Sequence, residues 1–71
     1  MTGEQLAKHR AALELTQDGM ASLLGCSLIG YKRFETDARP IPAYIAHAVV
    51  GIAVLAKHGL VKEFTKELSG D

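Results

Sequence analysis

Gly25-Cys26-Ser27 divides the stretch Thr16–Glu35, TQDGMASLLGCSLIGYKRFE, into two short segments with helical periodicity. Gly25 follows the last apolar residue of the first segment, where a left-handed C-cap calls for glycine. Ser27 precedes the second segment, where a hydroxyl oxygen can cap the first amides of a helix. The stretch therefore reads as two short helices joined by a tight turn. Ala21 and Leu24 face inward on the first; Tyr31 and Phe34 do so on the second. Ala21 is small where the two helices cross closely. Lys32 and Arg33 are adjacent and point elsewhere.

The chain has 71 residues, enough for one domain over 1–71 with a small core. Stability at this size has to come from helical regularity or from a partner chain. The single cysteine excludes an internal disulfide and suits a reducing cytoplasm. No basic segment followed by an apolar run opens the sequence, so no signal peptide is expected. The uncharged run Ile41–Ala56 is shorter than a membrane span and contains Pro42 and His47. A membrane partner is not expected.

Read in order, a first helix covers Met1–Leu13, with Thr2 and Gln5 at capping-box spacing. Leu6, Arg10 and Leu13 share one face. Arg10 is the unexpected member, because a guanidinium on an inward face needs a carboxylate. Glu35 is the preferred partner; the alternative is an edge position from which Arg10 snorkels to water. Leu15 plugs the core before Thr16, the N-cap of a helix over Gln17–Leu24 with Met20, Ala21 and Leu24 inward. The next helix runs from Leu28 to about Thr36 and leaves Leu28, Ile29, Lys32 and Arg33 on its remaining surface. Gly30 inside it costs about 1 kcal/mol relative to alanine. It allows close backbone approach to a phosphate or is simply tolerated.

A loop over Asp37–Ile41 exposes Arg39, and Pro42 suits the first turn of a fourth helix, 42–58, stopped by Gly59. Ile45, Val49, Ile52 and Ala56 form its core stripe, flanked by Ala48, Ala53 and Leu55. His47, Val50, Gly51 and Val54 lie on the opposite side. A helix apolar nearly all round is buried on more than one side, here by a fifth helix over 60–69 or by another subunit. Val61, Phe64 and Leu68 share the apolar face of that fifth helix. The expected fold is thus all-α with about five helices and its central unit at 16–36.

That unit has the layout of a helix-turn-helix, whose second helix enters the major groove of DNA. The chain resembles the Cro/CI-type (lambda-repressor-like, XRE-type) regulators. The resemblance rests on LTQDGMASLLGCSLIGYKRFE followed by ARPIP and covers about Leu6–Ala56. Leu15, Thr16 and Gln17 open the second helix as family members commonly do, and Phe34-Glu35 stands where Trp-Glu or Leu-Glu is usual. The resemblance implies that Gln17 meets a phosphate and braces the third helix. It implies that Ser27, Leu28, Ile29, Lys32 and Arg33 lie at or beside the groove-facing positions. It implies that Arg10 and Glu35 tie the first helix to the third. Thr16 and Arg39 complete the expected DNA contacts.

Three departures stand out. Leu28 and Ile29 occupy positions that are usually polar; they can touch thymine methyls but cannot read donors and acceptors. Arg33, able to address guanine O6 and N7, would carry specificity together with DNA shape. Asp37 replaces a frequent glycine and brings a carboxylate near the phosphate path. Tyr31 is larger than the usual Val or Ile.

Formal net charge is zero, and residues 1–40 hold five cations and five anions. DNA affinity must therefore come from the placement of charge rather than its amount. The expectation is a sequence-specific, double-stranded DNA-binding transcriptional regulator, a cytoplasmic dimeric repressor. The homodimer contact is assigned to His47, Val50 and Val54 with Phe64 and Leu68. The alternative is a protein-interaction module on the same fold, antitoxin-like or antirepressor-like, favoured by neutral charge and the Leu28-Ile29 pair. Cys26 is expected to be a small buried apolar residue rather than a redox sensor. His9, His47 and His58 lack partners at metal-ligand spacing, and no nucleophile–base set is present. No metal, cofactor or catalytic activity is expected.

Overall fold

The computed structural model describes residues 1–70. Five helices follow one another: α1 (Gly3–Ala12), α2 (Gln17–Leu24), α3 (Leu28–Glu35), α4 (Ala43–Lys57) and α5 (Val61–Ser69). No strand occurs among the described residues, so the all-α expectation holds.

Local chemistry accounts for most helix ends. The Thr2 hydroxyl accepts from the Gln5 amide at 3.1 Å, and the Gln5 side chain accepts from the Thr2 amide at 2.8 Å. This closes the expected capping box, although α1 begins at Gly3 rather than Met1. Thr16 and Ser27 cap α2 and α3 through Gly19 and Gly30, each at 3.0 Å. Gly25 ends α2 at φ 74°, and the Cys26 amide closes back on the Ala21 carbonyl at 2.9 Å. Pro42 stands just outside α4 as its N-cap rather than in its first turn.

Two non-glycine residues adopt the left-handed conformation, which no local residue pattern foretells. Glu14 (φ 58°) follows α1, and Asp37 (φ 60°) follows α3. Both stand where a chain leaving a helix must reverse at once to keep its neighbours packed.

The core is one cluster of Leu6, Met20, Ala21, Tyr31, Phe34, Ile45 and Val49. Leu13, Leu15, Leu24, Cys26 and Ile41 pack around it, half-buried. Ile52 extends the buried stripe of α4, but Ala48 and Ala56, expected on or beside that stripe, are exposed. They lie toward the edges of a small core that α1–α3 cover only in part. The opposite side of α4 is open as well: Val50 and Val54 are half exposed, and His47 and Gly51 face solvent. α5 packs on α4 without burying any of its own residues.

α1 meets α3 at unusually close range. A Cβ on Gly3 would stand 2.2 Å from the Glu35 carbonyl oxygen and 2.7 Å from that of Phe34. These neighbours are backbone and cannot rotate away. The Asp37 carboxylate, carried by the residue two beyond the end of α3, accepts from the Gly3 amide at 2.9 Å. It thereby places negative charge at the positive end of α1. Replacement of Gly3 by Ala is expected to force α1 off α3 and cost about 2 kcal/mol or more. Urea unfolding monitored by circular dichroism measures this, and an unchanged midpoint would contradict the close approach.

Candidate nucleic-acid interface

The candidate site is assembled around a clamp that fixes α3. Arg10 of α1 donates from Nε to Glu35 Oε2 at 2.7 Å and from Nη2 to Oε1 at 3.3 Å. Its Nη1 donates to the Leu15 carbonyl at 3.1 Å. The Gln17 amide nitrogen, at the first position of α2, donates to Glu35 Oε1 at 3.1 Å. The Tyr31 hydroxyl donates to Glu35 Oε2. One carboxylate therefore joins α1, α2 and α3, and the guanidinium ties in the α1–α2 connection. The ion pair expected between Arg10 and Glu35 is present, and no buried side-chain nitrogen or oxygen among the described residues lacks a partner.

The electrostatics follow from this arrangement. Burial acts to raise the Glu35 carboxyl, but hydrogen bonds from Arg10, Tyr31 and Gln17 outweigh it and hold the group below the usual carboxylate range. The Glu35 hydrogen bond raises the Arg10 guanidinium further. Burial, then the same carboxylate, pushes the Tyr31 phenol upward and keeps it a proton donor. The larger aromatic residue at position 31 thus supplies a fourth donor to the clamp, which a valine or isoleucine could not.

With Tyr31 and Phe34 buried, α3 turns Ile29, Lys32, Arg33 and Thr36 outward, the i, i+3, i+4, i+7 face. Ile29 is 67% exposed. Leu28, expected on this outward surface, is half-buried, because it stands three residues before Tyr31 on the inward side. Lys32, Arg33 and Arg39 are exposed and form no ion pair among the described residues. Lys32 and Arg33 also occupy the last turn of α3, where cations suit the negative end of the helix.

The capping hydroxyls of Thr16 and Ser27 use an oxygen lone pair, which leaves each O–H proton free to donate to a further acceptor. Gln17 retains a second amide proton. These groups are chemically suited to phosphate oxygens. The Arg39 amide donates to the Arg33 carbonyl at 3.2 Å, which ties the loop to the end of α3. Arg39 then shares a shallow hollow with Ser27, Gly30 and Tyr44. Tyr44, 72% exposed in the first turn of α4, went unnoticed in the sequence. Its only signal was a large aromatic residue outside the stripe of Ile45, Val49 and Ile52. At Gly30, an added Cβ would meet the Ser27 hydroxyl at 3.0 Å and press on the cap.

The other expected positions lie apart from this surface. Asp37 turns its carboxylate to the α1 amide instead of leaving it free near the outward face of α3. Cys26 is half-buried against the core, and burial raises its thiol, which disfavours the reactive thiolate. Among the five residues assigned to a subunit contact, His47, Val50, Val54 and Leu68 are exposed and Phe64 is half-buried. Leu68 also lines an apolar groove of about 850 Å³ between α5 and the α1–α2 region, with Leu13, Leu15, Leu23 and Val61.

Among the described residues, no helix is long and apolar enough to cross a membrane. No group of three or more His, Cys, Asp or Glu among them stands close enough together to hold a metal ion. Compared with family models, curated proteins and solved structures, the chain matches none.

The clamp makes stability depend on pH. A depressed carboxyl stabilises the fold above its unfolded value, near pH 4, and loses that contribution as pH falls through its lower folded value. Thermal melts are therefore expected to drop steeply below about pH 4. Glu35→Gln should cost on the order of 2–4 kcal/mol at neutral pH and flatten the acid limb. An acid limb as steep as that of the parent protein would assign the effect to other carboxylates.

Proposed function

We propose that the protein is a Cro/CI-type, sequence-specific DNA-binding transcriptional regulator that acts in the cytoplasm as a dimeric repressor. The observation that carries this reading is the outward face of α3, with Lys32 and Arg33 free of carboxylates on a helix braced from behind by Arg10 and Glu35. In this reading α3 enters the major groove. Thr16, Gln17, Ser27 and Arg39 hold phosphates, Arg33 reads a guanine edge, and Ile29 meets a thymine methyl. A reading helix of eight residues spans only a few base pairs, so two copies on adjacent half-sites supply the remaining affinity and specificity. Repression follows if the occupied operator overlaps the site at which transcription starts.

Selection from a random pool of duplexes tests the proposal. The expected product is a palindrome with half-sites about one helical turn apart. Absence of enrichment would overturn it. Arg33→Ala should cost about 1–3 kcal/mol on the selected duplex and relax the preference at one base position, with unchanged helical circular dichroism. Equal affinity and preference in the variant would remove Arg33 from the site.

A second reading, a protein-interaction module on the same scaffold, is favoured by Ile29 at 67% exposure beside half-buried Leu28 on a chain of zero net charge. It predicts a pool without enrichment and a partner whose binding is lost on Ile29→Lys.

A further inference from the structure

We propose that two copies of this chain pair through α4, antiparallel, about a two-fold axis at Gly51. The proposal deepens the dimeric reading above and rests on it.

The outer side of α4 carries an ordered seam. Tyr44, His47, Gly51 and Val54, with His58 as the C-cap of α4, follow one another at intervals of three, four, three and four residues, and all five are exposed. That is the spacing at which one helix presents a continuous edge to another. The seam is also self-complementary. Tyr44 and His58 stand seven residues either side of Gly51, and His47 and Val54 stand four before and three after it. An antiparallel pair centred on Gly51 therefore sets Tyr44 level with His58 of the second copy, His47 within one residue of Val54, and Gly51 against itself. A two-fold contact requires this matching.

Gly51 is the second observation. It lies in the interior of a 15-residue helix, where glycine costs about 1 kcal/mol relative to alanine. Nothing in the chain demands it: a Cβ there would meet no atom within 4 Å, and its φ is not left-handed. Close approach of a second helix backbone at the axis accounts for a glycine that its own fold does not use.

Charge and area agree with a second copy as the occupant. No Asp, Glu, Lys or Arg occurs from Ala43 to Ala56, so two α4 faces meet without like-charge repulsion. Antiparallel helices also oppose their dipoles favourably. Tyr44 at 72% exposure, Val50 at 50% and Val54 at 49% leave apolar area on this side for a second copy to cover. The apolar side of α5 differs in lying against a groove of its own chain, lined by Leu13, Leu15 and Leu23.

Sedimentation equilibrium of the full chain at micromolar concentration tests the pairing. The parent protein should dimerise. Gly51→Glu, which places two carboxylates at the axis, should weaken the dimer at least about 100-fold with helical circular dichroism retained, and Leu68→Glu should leave it unchanged. As a second test, Gly51→Cys with Cys26→Ser should form a disulfide-linked dimer on mild oxidation. A dimer that survives Gly51→Glu, or that is lost in Leu68→Glu instead, overturns the α4 pairing and leaves the dimeric reading standing. A parent protein that stays monomeric overturns both.

Discussion

The carboxylate of Glu35 is the interaction on which this small fold depends. It is 7% exposed and receives Arg10, Gln17 and Tyr31, so it joins three helices that share a modest core. A buried ion pair is not stabilising by default, because desolvation can exceed the Coulombic gain. Here the remaining lone pairs of the carboxylate are satisfied by an amide and a phenol. The guanidinium satisfies a loop carbonyl as well. What the network adds to stability it also adds to geometry. α3 cannot roll about its axis without breaking bonds to both α1 and α2, and the outward direction of Lys32 and Arg33 is fixed with it.

A second contact reinforces the first from the other end of α1. Gly3 lets the α1 backbone rest on the last carbonyls of α3, and Asp37 folds back to cap the same turn. The two contacts lie on adjacent segments of chain, Glu35 at the end of α3 and Asp37 just beyond it. Three of the anions that bring the net charge to zero are engaged within the fold: Glu4 with Lys8, Glu35 with Arg10, and Asp37 with the Gly3 amide. Lys32, Arg33 and Arg39 are left without carboxylate partners. A neutral chain can in this way present a locally positive surface.

Features governed by neighbouring residues were legible in the sequence. The caps Thr2, Thr16 and Ser27 and the glycine turn at Gly25 each act within one turn of chain, and the helix order followed from them. The Arg10–Glu35 pair was legible despite a separation of 25 positions, because a charge on an apolar stripe requires a partner. Features set by distant backbone were not legible. Gly3 and Asp37 reveal their roles only once α1 and α3 are in contact. The outer face of α4 gave a mixed signal. An apolar composition argued for burial on two sides, yet one chain buries only one, and Ala48 and Ala56 remain in solvent. At the candidate site, Lys32, Arg33 and Arg39 could be located by spacing, whereas Tyr44 joined Ser27 and Arg39 only through the turn into α4.

In the proposed complex, Lys32, Arg33 and Arg39 of a neutral chain, free of carboxylate partners, meet the phosphates of duplex DNA. Binding to a selected duplex, measured over a series of salt concentrations, tests it most directly. Each neutralised phosphate contributes a slope of about −0.9 in log K against log salt, so a dimer using Lys32, Arg33 and Arg39 from both copies should give about −5. A slope near zero would contradict the account and place the contact on apolar surface instead.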